Sequence, residues 1–556
     1  MIKYNFKIII VLSLLLSFWS CNDDEILVEV PKDFFAVDNA YSSPQSIVYA
    51  ITGLHMSVRP GFMGDKPSQQ MHIGTDMGSD KRYTGVFSNA SDLNVNSKSD
   101  WWTGCYITIS RANTILARID DIEYTSEELK NAHKAEALFF RAFSYRTLAN
   151  LYGGVPLELN EVTTPKRDYV RASREEVYLQ CVEDLKFAVE HLPTINEIDA
   201  EGRIAKAAAN HLLSEVYISL KEWDKAIVAA SAVIENGNFG LMTQRFGRRS
   251  NVSDKGPYWD LFQRGNFDRK IGNTEAIWTM QYAYNIPGGS GPRYNENNMI
   301  WERTYGYLYW SWLKDPDGKP FYKFPTTQEG GRGGSNLYMS NHFKYGIWQN
   351  AGNDTRDDEH NIRRKTWRVE NPDSKYFGKE LWEFDISELK LYRDTNIVFQ
   401  GKYMKLSTPG DHPADLIKNP ETGELWSYSG GTYHGWYYMR LAETYLLRAE
   451  AYLGKGDNTN AANDINAVRA RANASLVAAA DVDIDYILDE RLRELSFEEL
   501  RRMTLSRLGM HFDRLEKFYP EFLGVRSRHW DLLPIPQSVI EVNVEAVLTQ
   551  NPGYTN

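Results

Sequence analysis

Cys21 is the first residue whose type and position suggest a specific chemistry. It follows an apolar segment, residues 8–20, that two lysines precede, and three acidic residues come within the next four positions. A positive flank and a short apolar run are the layout of a secretory signal, and this run is too short to span a membrane. Cleavage before Cys21 would leave an N-terminal cysteine, which bacteria acylate in lipoproteins. The alternative is an ordinary export signal with an incidental cysteine, because Phe18 and Trp19 depart from the usual lipobox.

Patterns that would mark a catalytic or metal centre do not occur in the sequence. The eleven histidines are never closer than 17 positions, so no HExxH-type helical metal site exists. The segment "GGSGP" (288–292) lacks the last glycine of a nucleophile elbow. The segment "DPDGK" (315–319) departs from a calcium loop at Lys319 and indicates a tight turn. A glycosidase needs two carboxylates, but nothing selects one pair from 74 acids. We therefore expect no cofactor, no metal and no catalysis.

The bulk composition narrows the classes of partner. The chain of 556 residues has 63 basic and 74 acidic residues, and no basic block offsets its net charge of −11. Nucleic acid is therefore not an expected partner. Apart from Cys21 the chain contains only Cys105 and Cys181, which could pair after export but make no disulfide framework. The folded core must therefore be stabilised by the burial of apolar side chains.

Residues 41–240 show mostly helical periodicity. The segment "NAHKAEALFFRAFSYRTLANLY" (131–152) has apolar residues at steps of three and four, which predicts a helix with one broad apolar stripe. Gly153 ends this helix and Pro156 prevents its continuation. The segment "REEVYLQCVEDLKFAVEHLP" (174–193) predicts a second helix that stops at its proline.

Two distant segments share one spacing of small, aromatic and apolar residues. Small residues at matching positions let two antiparallel helices approach closely, and both segments resemble tetratricopeptide helix pairs. Generic helical hairpins are the alternative. The shared positions, at spacings of 3, 9, 4 and 3, are Ser214, Tyr217, Ala226, Ala230 and Val233 in the first segment, and Ala449, Tyr452, Ala461, Ile465 and Val468 in the second.

Residues 241–435 differ from the helical region in composition and periodicity. Between positions 281 and 350 the chain has 16 aromatic residues and 10 glycines, and helical periodicity fades. Long segments without regular structure are rare in compact proteins unless they bind something, and flexible linkers seldom contain so many Trp and Tyr. We interpret this region as a loop-rich insert, with short strands, built onto the helical repeats.

Four segments carry a family resemblance: "AEALFFRAFSYRTLANLYGGVPL" (135–157), "YYMRLAETYLLRAEAYL" (437–453), "ILDERLRELSFEELRRMTLSRLG" (487–509) and "LLPIPQSVIEVNVEAVLTQNPGY" (532–554). Together they resemble the SusD/RagB family of nutrient-binding surface lipoproteins of Bacteroidetes. The resemblance runs in consistent order from Cys21 to Tyr554. Its most distinctive part is the C-terminal "PIP…QNPGY" element. The insert matches only in "GNDTR" (352–356).

The resemblance implies a mainly α fold with tetratricopeptide-like repeats and a variable, loop-rich and aromatic-rich insert that carries the ligand site. It implies a SusC-like TonB-dependent outer-membrane transporter as partner, a glycan as ligand, and a cell-surface position on the outer membrane through lipidated Cys21. The acids after Cys21 resemble the signal for the outer face. The expected regions are a signal peptide (1–20), a lipidated tether (21–40), an N-terminal helical region (41–240), the insert (241–435) and a C-terminal helical region (436–556).

Aromatic side chains are the expected sugar contacts, because Trp and Tyr rings meet the C–H faces of sugars. In "WERTYGYLYWSW" (301–312), strand alternation would place three tyrosines on one face and two tryptophans on the other. One of these faces should be core, and Trp101 and Trp102 are also expected to be core. Glycine-rich loops flank the chosen platform candidates, which are Trp310, Trp312, Tyr338 and Trp348.

Polar candidates follow from the resemblance, because family members often use an N-terminal loop at the ligand site. The corresponding loop is "TDMGSDKRY" (75–83), and its Asp76 and Asp80, with Arg356 of the insert, are the expected hydrogen-bonding residues. For each of these residues the alternative is a salt bridge or turn cap that stabilises a loop.

Three further functions stay open beside non-catalytic glycan capture. Some family members take up peptides on the same scaffold, although abundant aromatic residues favour glycan over a peptide held by main-chain groups. The helical repeats alone could serve as a transporter lid or adaptor without a ligand site. A surface glycosidase is the least favoured function.

Overall fold

Helices form most of the regular structure of the protein. The computed structural model describes residues 40–79, 96–286, 289–291, 293, 299–364, 366–385, 389, 402–407, 409–520 and 528–554. The helices of eight or more residues lie in the two outer parts of the chain. They are α1 (Pro44–Met63), α2 (Asp65–His72), α3 (Asn96–Arg118), α4 (Glu127–Tyr152), α5 (Arg174–His191), α6 (Lys206–Ser219), α7 (Trp223–Ile234), α12 (Leu441–Lys455), α13 (Asn458–Arg471), α14 (Ile484–Leu495), α15 (Arg501–Leu508) and α16 (His511–Phe518).

The shorter elements lie mainly in the insert and near the chain end. The short helices are α8 (Pro257–Leu261), α9 (Trp301–Tyr305), α10 (Tyr309–Trp312), α11 (Asn341–Lys344) and α17 (Gln537–Val542). The strands are β1 (Gly78–Ser79), β2 (Ala276–Met280), β3 (Tyr338–Met339), β4 (Ile362–Arg363), β5 (Lys402–Tyr403), β6 (Ile417–Asn419), β7 (Glu424–Leu425) and β8 (Trp436–Arg440). They pair antiparallel as β1–β3, β2–β8, β4–β5 and β6–β7.

Helix α4 illustrates how the sequence sets the helical boundaries. The Ser126 hydroxyl accepts a hydrogen bond from the Leu129 amide and caps the first turn. The helix ends before Gly153, whose φ of +75° suits a residue without a Cβ atom. The predicted end is confirmed, and α5 likewise stops before the predicted proline.

Both predicted helix pairs are present and they pack against each other. Helices α6 and α7 form the first pair, α12 and α13 form the second, and α7 lies against α12. Nine of the ten spacing-matched residues are buried, and Tyr452 is partly buried. Burying a Val or Ile side chain contributes about 1.5–3 kcal/mol, so these interfaces hold the scaffold without disulfides. Cys105 and Cys181 are buried free thiols.

Strands β2 and β8 join the insert to the C-terminal helices. Met280 pairs with Trp436, and Ala276 pairs with Arg440, at the start of α12. Trp278 of β2 is buried in the main core. Trp101 and Trp102 belong to the same core, as predicted.

The insert has a core of its own that consists largely of aromatic residues. Its buried members include Tyr307, Tyr309, Trp312, Phe321, Tyr322, Tyr338, Trp367 and Tyr376. Many of the aromatic residues that suggested ligand binding therefore stabilise the insert itself. The tight turn at Asp315 is confirmed, since the Asp315 carboxylate accepts a hydrogen bond from the Lys319 amide at 2.8 Å.

The strand predicted for residues 301–312 is wrong. This segment forms the helical turns α9 and α10, which Gly306 separates. A Cβ atom at Gly306 would lie 2.1 Å from the Glu302 carbonyl oxygen, so the chain turns sharply where only glycine fits. The apparent alternation of tyrosines arose from two helical turns on either side of this residue.

Candidate functional site

Three segments that the sequence analysis selected for the site come together in the structure. Gly78 and Ser79 of the N-terminal loop pair with Met339 and Tyr338, respectively. The ring of Tyr338 then stacks on Trp312 of α10, with centroids 6.3 Å apart and planes within 9°. Residues 75–79, 309–312 and 338–340 thus form one contact region, although most of its side chains are buried.

Asp76 lies inside the protein and not on a ligand-facing surface. Its carboxylate accepts hydrogen bonds from Arg501, at 2.9 and 2.6 Å, and from Arg514 at 2.8 Å. Burial opposes ionisation, but the two guanidinium groups outweigh it and hold the pKa of Asp76 well below its usual range. The side chain joins the loop to α15 and α16. It therefore has the loop-stabilising salt bridge that was the alternative to a ligand contact. Asp80 lies outside the described residues.

Arg356 is also a buried structural residue. Its guanidinium group donates to Asp354 at 2.7 Å, Glu490 at 2.7 Å and Glu494 at 2.9 Å. Burial favours the neutral form, yet these carboxylates hold the pKa of Arg356 well above its usual value. The charged group therefore fixes the 352–356 segment to α14 and is not presented to a ligand.

Among the four platform candidates, Trp310 is the one that is partly exposed, although its indole Nε1 is buried. It packs against the aromatic core of the insert, and the guanidinium carbon of Arg332 lies 5.9 Å from its ring centroid. Tyr338 and Trp312 are buried, with only 6% of Trp312 exposed. These two rings support the segment behind Trp310.

Trp348 lines a polar pocket with its remaining exposed edge. The side chain is 9% exposed, and the pocket has a volume of about 500 Å³. Asn353, Asp358 and Asn473 are among the other lining residues. Partial burial raises the pKa of Asp358.

Two of the exposed aromatic residues that the sequence analysis missed directly follow β7 of the β6–β7 hairpin. Trp426 is 39% exposed, and its ring is parallel to that of Tyr428, with centroids 5.9 Å apart. Beside them, the Tyr284 hydroxyl donates to the Asp415 carboxylate at 2.6 Å. The segment "LWSYSGG" (425–431) meets the glycine-flanking criterion that selected the four candidates. Applying it to the whole insert would have found Trp426 and Tyr428.

One hydroxyl–imidazole–carboxylate arrangement occurs in the insert. His412 accepts from the Thr327 hydroxyl at 2.8 Å and donates to Glu302 at 2.9 Å. Thr327 is only 4% exposed, so its hydroxyl does not meet solvent as a nucleophile would. The trio ties the loops around residues 302, 327 and 412 together.

No group of three or more His, Cys, Asp or Glu side chains in the described ranges is placed to hold a metal ion. Within the same ranges, no helix is both long and apolar enough to cross a membrane.

Two family models match the chain over most of its length. A model of the SusD family matches residues 274–554, which is half of the chain. A second model, described as starch-binding and associating with the outer membrane, matches residues 51–218. The chain belongs to the SusD/RagB family. The mainly α, tetratricopeptide-like fold expected from the sequence is confirmed.

Individual relatives agree with this assignment. SusD-like protein P25 of Formosa agariphila is 24% identical over 575 residues, covering 99% of both chains. A solved laminarin-binding SusD-like protein has a TM-score of 0.67 at 22% identity, covering 92% of this chain and all of its own. Surface glycan-binding protein A of Bacteroides thetaiotaomicron has a TM-score of 0.66 at 17% identity, with coverage of 92% and 100%. At these identities the solved structures establish the fold alone.

Proposed function

We propose that this SusD/RagB protein is a non-catalytic lipoprotein of the cell surface that captures an oligosaccharide or polysaccharide. It then delivers the glycan to a SusC-like TonB-dependent transporter in the outer membrane. Family membership supports the proposal, because one matching model is described as starch-binding and outer-membrane-associated. Two structural neighbours are a laminarin-binding SusD-like protein and a surface glycan-binding protein.

The observation that carries the proposal at the level of residues is the presence of aromatic rings at the surface of the insert. Trp426 is 39% exposed, and Trp310 is partly exposed. Such rings gain apolar contact and a favourable quadrupole interaction with sugar C–H faces, worth about 0.5–1.5 kcal/mol each. A few contacts of this size correspond to millimolar to micromolar binding, about −4 to −8 kcal/mol, which suits a protein that must release its cargo.

Trp310 is the proposed sugar-contacting residue among the platform candidates. Trp312 and Tyr338 would keep it in place from behind, since they stack on each other under the same segment. The Arg332 side chain close to the Trp310 ring offers donors for sugar hydroxyls. The pocket at Trp348 would be an additional polar contact for a glycan. Asp76 and Arg356 would contribute indirectly, by holding the loops on which these side chains stand.

Lipidation of Cys21 would attach the protein to the outer membrane. Several acyl chains on one cysteine give firm attachment, whereas one chain binds only marginally. Cys21 lies outside the described residues. Mass spectrometry of the mature N-terminus tests this part, with Cys21→Ala as the comparison. An unmodified Cys21 in protein purified from its own membranes would contradict lipidation.

Calorimetry with a soluble form that begins at Asn22 tests glycan capture. We would titrate neutral polysaccharides, acidic polysaccharides and peptides, and follow any hydrolysis by chromatography. Saturable binding to one glycan class, weakened by Trp310→Ala, would support the proposal. Trp382→Ala is the matched control, because Trp382 is 68% exposed and lies in a different short helical turn, Leu381–Glu383. Peptide binding alone, or hydrolysis of a bound glycan, would overturn the proposal.

Delivery to a transporter needs a separate measurement. The full lipoprotein, extracted from membranes in mild detergent, should co-purify with a TonB-dependent transporter. Isolation without such a transporter, under conditions that keep other outer-membrane complexes intact, would contradict this part and leave glycan capture standing.

A further inference from the structure

The hairpin of β6 and β7 carries a pair of aromatic rings that the protein does not bury. Trp426 and Tyr428 are two positions apart, and their ring planes differ by 7° with centroids 5.9 Å apart. Trp426 is 39% exposed and Tyr428 is partly exposed. Many large aromatic residues of the insert are packed into its core, whereas Trp382, Phe377 and Tyr345 are exposed. In the hairpin pair, two rings that keep exposed surface lie parallel and side by side.

Backbone hydrogen bonds fix the hairpin that carries the pair. The Trp426 amide donates to the Leu416 carbonyl at 3.1 Å, and the Leu425 amide donates to Pro325 at 3.0 Å. The Ser429 amide closes the next turn by donating to the Trp426 carbonyl at 3.0 Å. A side chain on a fixed backbone loses little conformational freedom when a ligand binds, so the pair is pre-organised.

Polar groups suited to sugar hydroxyls surround the two rings. The Tyr284 hydroxyl donates to Asp415 at 2.6 Å, and partial burial together with this carboxylate raises the pKa of Tyr284. Lys418 lies 5.9 Å from the Trp426 ring centroid and pairs with Glu424 at 2.7 Å. An aromatic face beside carboxylate, hydroxyl and ammonium groups matches the surface of a pyranose, which is apolar on its C–H face and polar at its edge.

The charges around the rings favour a neutral sugar over an acidic one. The Asp415 carboxylate accepts from Tyr284, and the positive charge of Lys418 is already paired with Glu424. The negative charge of a uronate or sulfate group placed here would be repelled by these carboxylates. Among these residues, no cation without a carboxylate partner would compensate for that repulsion.

We infer that Trp426, Tyr428, Tyr284, Asp415 and Lys418 form a second saccharide platform, the hairpin platform, which binds neutral pyranose units. The inference rests on the proposed glycan capture and adds a site to it. Arg332 is a neighbour of both the hairpin segment and Trp310. A Cβ atom at Gly430, two residues after Tyr428, would lie 3.6 Å from the Arg332 carbonyl oxygen. The guanidinium group of Arg332 in turn lies close to the Trp310 ring.

A glycan chain that contacts both sites would bind more tightly than a short one, because the second contact forms within the same complex. The hairpin platform therefore predicts a dependence on chain length. Trp426→Ala should weaken binding of long chains, and it should reduce the advantage of long chains over disaccharides.

The test is calorimetry with the soluble form beginning at Asn22 and the neutral glycan that it binds, in long and disaccharide form. Trp426→Ala and Tyr428→Ala should each weaken binding of the long chain about 2- to 10-fold. Trp426→Phe should retain most of the affinity, and Trp382→Ala should retain all of it. Circular dichroism melting of each variant checks that the hairpin variants fold.

The outcomes separate this inference from the proposed function. If Trp310→Ala weakens binding and both hairpin variants bind like the wild type, the hairpin platform is wrong and glycan capture stands. If the wild type binds no saccharide, glycan capture fails and the hairpin platform fails with it. Equal affinity for a neutral polymer and its uronate-containing counterpart, with both weakened by Trp426→Ala, would overturn the preference for neutral sugars.

Discussion

The carboxylate of Asp76 and the guanidinium group of Arg501 form a two-point ion pair in the interior of the protein. Asp76 Oδ1 accepts from Arg501 Nε at 2.9 Å, and Oδ2 accepts from Nη2 at 2.6 Å. The two residues are 425 positions apart in sequence. Through this pair the loop after α2, which contacts the Tyr338 segment, depends on helix α15 for its position.

Asp76→Asn should therefore reduce stability more than it reduces glycan affinity. The substitution removes the carboxylate charge that Arg501 and Arg514 share, although Glu499 still pairs with Arg501, and Asp485 and Asp489 still pair with Arg514. Because breaking a buried ion pair outright costs about 3–5 kcal/mol, we expect a loss up to that size. Urea unfolding measures this loss. Asp373→Asn, in an exposed pair with Lys323, is the control and should leave the unfolding free energy nearly unchanged. A variant of wild-type stability that no longer binds glycan would instead make Asp76 a ligand contact.

The helical scaffold could be predicted from the sequence because local patterns determine it. The apolar steps before Gly153, and the glycine itself, set the end of α4. The spacing shared by the two repeat pairs identified α6–α7 and α12–α13. In contrast, the partner of Asp76 could not be predicted, because contacts between distant segments leave no local pattern. Periodicity also misled at Gly306, where a sharp turn between two helical turns mimicked strand alternation.

Aromatic residues of the insert show a second limit of prediction. Trp312 and Trp426 both stand near glycines, yet one is in the core and the other is at the surface. The difference arises from what packs on each ring, since Tyr338 from another segment covers Trp312. Composition alone therefore predicted an aromatic-rich site without showing which rings belong to it.

Gly78→Ala should loosen the contact between the N-terminal loop and the Tyr338 segment. An added Cβ atom would lie 2.0 Å from the Tyr338 carbonyl oxygen, so strands β1 and β3 would have to separate. We expect a loss of about 2 kcal/mol in the unfolding free energy, measured by urea unfolding. Gly53→Ala is the matched control, because its Cβ atom would meet nothing within 4 Å on helix α1. That variant should gain up to about 1 kcal/mol. Equal stability of the two variants would show that β1 does not pair with β3.

His434 should make stability depend on pH below neutrality. The ring lies between Phe267 and Trp436, and Nδ1 donates to the Gly435 carbonyl. Burial, with smaller effects of Arg264 and His412, lowers its pKa to about 4. Because this value is below the pKa of about 6.5 in the unfolded chain, the contribution of His434 is complete above pH 6.5. It is then lost as the pH falls toward 4, by roughly 1 kcal/mol per pH unit.

Urea unfolding at pH 7 and pH 5 tests this dependence with His434→Gln. The wild type should lose stability between these values, partly through other buried histidines such as His72 and His511, whose pKa values are also lowered. The variant should lose roughly 2 kcal/mol less over the same interval, whatever its stability at pH 7. The same loss in both proteins would mean that His434 does not titrate in this range.

Substitutions at Trp310 and Trp312 should have different effects on glycan binding and on stability. Trp312 is stacked on Tyr338 in the aromatic core, so Trp312→Ala should cost about 3–5 kcal/mol through the cavity that it leaves. Trp310 is partly exposed, and Trp310→Ala should cost only about 1 kcal/mol. For glycan affinity, the residue at position 310 should matter more than the residue at position 312. Trp310→Ala should lower the affinity about 2- to 10-fold, and the conservative variant Trp312→Phe should lower it little. Calorimetry and urea unfolding on the same three proteins measure both quantities. If Trp310→Ala lowers stability as much as Trp312→Ala and leaves affinity unchanged, Trp310 is a core residue and the glycan contact lies elsewhere.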